Sequence, residues 1–443
     1  MYVTLRCLLL STAAIFGYQS FATAADAIDC HVGSYRLADG SLVDIGPTDS
    51  EALRWRRFDG TVGALHPGPS GEWHSAYGWT KREDGIIATF SPCDAGEIDF
   101  AGIKGRRVEF DVTNTKFGSH ETELAGRLVM PKGLRSVPIV VLVHGAEHDS
   151  ALTFNFLQRL LPAEGVGVFV YDKRGTGISG GSYSQDFTLL ADDAVAAMRE
   201  ARRLGGSRVS RVGYQGASQG GWVAPIAANQ APVDFVIVSF GLAVSVNDED
   251  QQEIAMEMHD KGHSPEEIAK AQEVGRAVEA VAASGFTKGF EELDVVRARY
   301  QHEPWYKDVH GNFTYFFLPH SEAELRAMAK EFDWGTPFDY DPMPTLRANS
   351  TAQLWILGGR DYEAPAVETS RRIQSLIDAG RPFTLALYPY AEHGMTLFEM
   401  SADGERVSTR YAIGYFRMMR DFARTGRLLG VYGDAEISRT KQP

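Results

Sequence analysis

In the larger, later part of the chain, apolar residues come in short unbroken runs set apart by amphipathic stretches. The runs predict strands over 108–113, 124–130, 139–143, 168–171, 209–215, 235–240, 352–357 and 384–388. Most of them are continuous rather than alternating, as in strands covered on both faces. Between them, a period near 3.6 predicts helices over 189–203, 219–229 and 366–379. Strands alternating with helices imply a mostly parallel sheet with helices on both sides, an α/β domain over 107–430. One long interruption, 242–350, is charged and helical in pattern over 248–261, 265–283 and 322–332. An insertion of that length is expected to be a folded helical cap, because structureless connections so long are rare.

Residues 26–105 have a different texture. Short strand-like runs at 33–37, 42–45 and 86–90 are punctuated by Asp39-Gly40, Asp59-Gly60 and Asp84-Gly85. This predicts a small N-terminal all-β module. Its Trp55, Trp73, Tyr77 and Trp79 are expected to pack its core rather than form a ligand platform. The first residues differ again: Arg6, an apolar run from Cys7 to Phe16, then Ala22-Thr23-Ala24. A basic start, a run too short to span a bilayer and a small-x-small site predict a signal peptide over 1–24. We therefore expect a periplasmic or secreted protein whose mature chain does not insert into a membrane.

Composition sharpens this picture. The 443 residues carry 44 Lys+Arg against 58 Asp+Glu, a formal charge of −14, which argues against nucleic acid or anionic membrane as a partner. Cys7 leaves with the signal segment, so Cys30 and Cys93 are the pair available for a disulfide in an oxidising compartment.

The chemistry centres on Gly216-Ala217-Ser218-Gln219-Gly220-Gly221, which follows a predicted strand and opens a predicted helix. A nucleophile on a tight strand-to-helix turn needs small neighbours, and the helix N-terminus favours the negative charge that develops during acyl transfer. A serine so placed needs a base, and the base an acid to orient it, in the order Ser, Asp or Glu, His. Asp361 follows the run 354–357, and His393 follows the run 384–388. Both lie just past strand ends, where open α/β sheets place their sites. Ser218, Asp361 and His393 are therefore the expected catalytic triad, with Glu363 and Glu392 the nearest substitutes for the acid. The oxyanion donors are expected to be the N–H groups of Gln219 and Ala146, the latter in the His144-Gly145-Ala146 loop. His144 reads as structural.

Five segments in order, 141–145, 171–179, the Ser218 motif with Trp222, and the Asp361 and His393 loops, resemble the α/β-hydrolase family. The likeness is to its serine esterase, dienelactone-hydrolase-like and serine-aminopeptidase-like branch and spans about 107–425. The resemblance implies an α/β-hydrolase fold and gives the 172–179 loop a supporting role. From the triad we expect hydrolysis of a carboxylic ester in a small molecule, through an acyl-enzyme. The aromatic insertion residues Trp305, Tyr306, Tyr315, Phe316 and Phe317 are expected to line the pocket. A peptidase releasing N-terminal residues uses the same fold and triad, and Glu322, Glu324 or Asp333 would then meet the free amine. A non-catalytic binding protein is the third reading. No cofactor or metal is expected: His148 with Asp149, and His259 with His263, are the only dense clusters, and the second pair, without an HExxH pattern, reads as a solvated helix face. Oligomeric state, acyl preference and the use of the β module are not readable.

Overall fold

The computed structural model describes residues 30–440; the segment expected as a signal peptide lies outside them. The N-terminal module is built from tight hairpins. Asp39 and Asp59 each accept the N–H two residues on, from Ser41 at 2.9 Å and Thr61 at 2.8 Å. Gly40 and Gly60 take the left-handed conformation between them (φ 84° and 94°). The strands are β1 (Gly33–Leu37), β2 (Leu42–Pro47), β3 (Leu53–Arg57), β4 (Val62–Pro67), β5 (Trp73–Tyr77), β6 (Glu83–Phe90), β7 (Glu97–Phe100) and β8 (Ile103–Arg107). They close into an antiparallel barrel in which β1 pairs with β8. Tyr35, Val43, Leu53, Trp55, Trp73 and Phe100 fill it. The apolar pattern singled out only three of these strands, since the others mix polar and apolar residues; β3 carries three arginines. A disulfide joins Cys30 to Cys93.

The second sheet has nine strands. In chain order they are β9 (Phe110–Ser119), β10 (Thr122–Pro131), β11 (Val137–Val143), β12 (Gly167–Tyr171), β13 (Val209–Ala217), β14 (Phe235–Ser239), β15 (Gln353–Gly358) and β16 (Phe383–Tyr388). The ninth is β19 (Glu436–Arg439), which follows a separate hairpin of β17 (Thr396–Met400) and β18 (Arg406–Tyr411). The spatial order is β19-β16-β15-β14-β13-β11-β12-β10-β9. The run from β12 to β16 is parallel; β9, β10 and β19 are antiparallel additions at the edges. β9 extends well past the predicted 108–113, because the added residues, 114–119, carry Phe117 as their one apolar side chain and leave no apolar run. β11 and β13 are neighbours in space whose connections leave in opposite directions, the point where such sheets open a crevice. Helices Phe187–Gly205, Gly220–Gln230 and Ala366–Asp378 pack one face, and Tyr415–Thr425 packs the other.

The helical insertion lies between β14 and β15. Its helices Val246–Asp260, Pro265–Ala283 and Glu322–Met328 begin at Ser245, Ser264 and Ser321, each in a reciprocal capping box with the acid three residues on. A further helix, Phe290–Tyr300, completes a small core of its own around Ile254, Val278, Leu293 and Trp305. The insertion is tied down over the sheet's loops: Tyr362 donates to Asp260 at 2.7 Å, and the Gln185 N–H donates to the Trp334 carbonyl at 2.7 Å.

Candidate active site

β13 ends in a sharp turn because its glycines leave no room for anything larger. A Cβ on Gly216 would overlap the Gly220 carbonyl, and one on Gly220 would overlap the Val143 carbonyl. Ser218, at the apex, holds a left-handed φ of 51° without being glycine. That strain falls on a polar residue just ahead of a helix start, the geometry of a nucleophile elbow. Its N–H donates to the Ser239 carbonyl at 3.1 Å, tying the turn to β14. The neighbouring Phe240 sets its ring edge-on to His393, with centroids 4.8 Å apart. The elbow and the histidine loop are thus packed through one residue.

Asp361 is completely buried. It accepts the Ala364 N–H at 2.8 Å and faces His393 Nδ1 with both oxygens, at 3.0 and 3.1 Å. This fixes the imidazole orientation and places a proton on Nδ1. On the other side, His393 Nε2 lies 3.6 Å from Glu363 Oε2. Burial opposes the imidazolium, but the charges of Asp361 and Glu363, the Asp361 hydrogen bond and the charge of Glu249 outweigh it, lifting the His393 pKa to about 10. Glu392 is spent elsewhere: its carboxylate accepts the Ser408 and Thr396 hydroxyls in the β17–β18 hairpin.

The loop after β11 comes close to Ser218, and a Cβ on Gly145 would stand 3.2 Å from Ser218 Cβ. The N–H groups of Gln219 and Ala146 donate no hydrogen bond among the described residues. Around them the loop is heavily braced. Lys173 donates to the Gly145 carbonyl at 2.8 Å, and Tyr183 donates to the Ala146 carbonyl at 2.6 Å. Burial lowers the Lys173 pKa to about 8. His144 is bonded through Nε2 to the Tyr171 carbonyl, which makes it a fastener of this turn. Asp172 accepts from Ser150, Leu152 and Ile178, pinning the 172–179 loop beneath. Tyr183 stacks on His148 at 3.7 Å and meets Trp334 of the insertion edge-on at 5.3 Å. That Tyr183 and Trp334 join His148 beside the loop after β11 escaped sequence reasoning, since nothing local links residues 148, 183 and 334.

The insertion aromatics are placed less uniformly than their clustering suggested. Trp305 (2% exposed) and Phe317 (6%) sit in the insertion's own core, with Tyr306 and Phe316 packed against it. Tyr315 is 46% exposed and stacks on His310. Glu324 is consumed by its capping box and Glu322 by Arg326. What does approach His393 is a feature the sequence reading passed over. Glu249 and Glu253 are buried on the inner side of Val246–Asp260 and, with Glu363, form an acidic wall. Burial, and then neighbouring acids, raise the Glu253 pKa well above the carboxylate range; burial raises that of Glu249 similarly, against the opposing charge of His393. The spacing of 249, 253 and 257 is the signal that would have found them.

The parts in hand are a strained serine at a helix start, an imidazole held by a buried carboxylate, and two N–H groups beside the serine, a set suited to acyl transfer. Residues 135–263, which include the loop after β11, the Ser218 turn and the first insertion helix, match the family described as serine aminopeptidase, S33. Sheet order and this match together make the second domain an α/β-hydrolase fold. No curated protein sequence matches the chain. Similar solved structures include an esterase of Pyrococcus furiosus (TM-score 0.41, 15% identity, covering 64% of this chain and 84% of that one). An acylaminoacyl peptidase of Pyrococcus horikoshii is another (TM-score 0.41, 14% identity, 86% of this chain); the chain spans 56% of its length. A third is Est1E of Butyrivibrio proteoclasticus, with ferulic acid bound (TM-score 0.37, 15% identity, 63% and 90%). Likenesses this distant say nothing of the reaction.

Proposed function

We propose that the protein is an exported serine hydrolase that cleaves a carboxylic ester in a small molecule. The observation that carries this reading is the buried Asp361 holding His393 beside the strained Ser218 elbow. Ser218 attacks the carbonyl, His393 takes its proton and returns it to the leaving group, and Asp361 keeps the imidazole oriented. The N–H groups of Gln219 and Ala146 stabilise the oxyanion. Glu363 must release Nε2 for this cycle to start, since an imidazolium cannot act as base. The Cys30–Cys93 disulfide and the signal-like first residues support export to the periplasm or beyond. The insertion closes over the site as a cap, and Tyr315 is its aromatic best placed to meet substrate.

A second reading, release of an N-terminal residue from a peptide, is favoured by the acidic wall. Glu249 and Glu363 beside His393 suit a substrate ammonium better than an apolar acyl chain. One experiment tests both: a fluorophosphonate probe, then p-nitrophenyl esters and aminoacyl-p-nitroanilides on one sample. Ser218→Ala is expected to lose labelling and nearly all turnover with its circular dichroism unchanged. Full turnover in folded Ser218→Ala ends the proposal; faster anilide than ester cleavage selects the peptidase.

A further inference from the structure

Glu249, Glu253 and Glu257 recur every four residues on Val246–Asp260 and so lie along one line of that helix. The line runs from the neighbourhood of His393 outwards to a second segment of the insertion, 309–314, which crosses it. That crossing is fixed by hydrogen bonds. Asp250 accepts the N–H groups of Phe313 at 2.9 Å and Thr314 at 3.0 Å and the Thr314 hydroxyl at 2.6 Å. Glu257 accepts the Gly311 N–H on Oε2 at 3.2 Å, which leaves Oε1 facing His310 Nδ1 at 3.3 Å. The Tyr315 ring, stacked at 4.3 Å, holds the imidazole from one side.

Three donor atoms converge there, one each from Glu253, Glu257 and His310, all within 4.8 Å of one another. Their hydrogen bonding is incomplete. Glu253 is 4% exposed, and its Oε2 has no hydrogen-bond partner among the described residues; neither has the buried His310 Nδ1. A buried carboxylate oxygen left without a donor is costly. Two ligands bound to one tetrahedral ion at about 2.0–2.1 Å stand roughly 3.3 Å apart, the separation already found between His310 and Glu257.

We propose that Glu253, Glu257 and His310 bind a divalent metal ion of the Zn²⁺ class, with its fourth position open to water or a substrate oxygen. One imidazole with two carboxylates selects a borderline ion over Mg²⁺ or Ca²⁺, which take all-oxygen shells of six or more ligands. Asp250 and Gly311 are the supporting groups that aim the ligands. The ion clamps the first insertion helix to the crossing segment and sets a positive charge in the acidic wall. The site does not depend on whether the substrate is an ester or a peptide.

The test uses tag-free mature protein, stripped with a chelator, re-equilibrated with Zn²⁺ and freed of excess by gel filtration. Wild type is expected to retain one equivalent by elemental analysis and to bind it in calorimetry. Glu253→Gln and His310→Ala are each expected to weaken binding a hundredfold or more, and Zn²⁺ to raise the melting temperature of wild type alone. Glu257→Gln, at a less buried position, replaces either variant that fails to fold by circular dichroism. No retained equivalent in wild type, or equal affinity in the folded variants, overturns the proposal. So does thermal stabilisation by a short peptide amine but not by Zn²⁺, which would make the cluster an ammonium site.

Discussion

Asp193 of the sheet domain is buried against Arg174, which grips both its oxygens at 2.7 and 2.6 Å. Asp44 of the barrel is buried against Arg159 at 2.8 and 3.1 Å, and Asp361 against His393. In the helical insertion, Glu249, Asp250, Glu253 and Glu279 are buried too, yet none forms an ion pair with a lysine or arginine among the described residues. Burying a charge costs several kcal/mol unless it is compensated. The two regions therefore treat the same chemical group differently: barrel and sheet supply a cation from their own sequence, whereas the insertion meets Asp250 with N–H groups and a hydroxyl, Glu279 with an amide, and leaves Glu253 Oε2 without a partner among the described residues.

The sharpest way to break this comparison is at Asp361. Replacing it by Asn keeps the volume but loses the charge that orients His393, and kcat is expected to fall on the order of 10⁴-fold with KM little changed. If Glu392→Gln cripples turnover instead, the paired acid has been misassigned. Next comes Asp193→Ala, which strands Arg174 in the core and is expected to cost about 3–5 kcal/mol in denaturant unfolding. A loss under 1 kcal/mol would show that burial in pairs is not what stabilises the sheet domain.

The insertion is expected to respond with the opposite sign. Burial lifts the Glu279 pKa from the usual 4.5 to about 8, so folding loses stability as pH rises through that window. Glu279→Gln keeps an acceptor for the Gln251 amide and is expected to stabilise by about 1–2 kcal/mol at pH 8, after allowance for solvent screening. It should change little at pH 4. Equal stabilisation at both values would point to packing, not charge. The smallest effect belongs to Glu363→Gln. Removing a carboxylate that favours the imidazolium lowers the His393 pKa, so the acidic limb of kcat/KM should move to lower pH by roughly one unit. An unmoved limb would mean that Glu363 does not govern the base.

The same contrast explains which parts were legible in the sequence. Ser218, Asp361 and His393 each follow an apolar strand directly, so local pattern places them at one edge of the sheet before any tertiary contact is known. Phe290–Tyr300 was not picked out, but three of the insertion helices were equally readable as helices. Which way their faces turn was not, because that is decided by segments distant in the chain. Glu249, Glu253 and Glu257 resemble a solvated stripe, since exposure is the cheap state for a glutamate, and only the crossing segment 309–314 makes them an interior. Trp305 and Phe317, read as pocket lining, lie in the insertion's own core, where large apolar rings gain most from burial. The barrel strands were faint for a related reason: arginines on β3 are satisfied by partners such as the Gly78 carbonyl and the Trp79 ring, not by water.

The barrel also grips the β17–β18 hairpin that follows His393. The Tyr411 N–H donates to the Gly60 carbonyl at 2.9 Å, and Trp79 donates to the Ser408 carbonyl at 2.9 Å. Arg410 reaches the Asp59 carbonyl at 3.0 Å across 351 residues of sequence. A ribosome delivers the barrel well before this hairpin. The brace therefore stands ready long before the strand it must hold has been made, and the histidine loop is held only once the hairpin beyond it exists. A chain grown only to Ser218 therefore has the strained elbow without the His393 loop or the hairpin that the barrel holds beneath it.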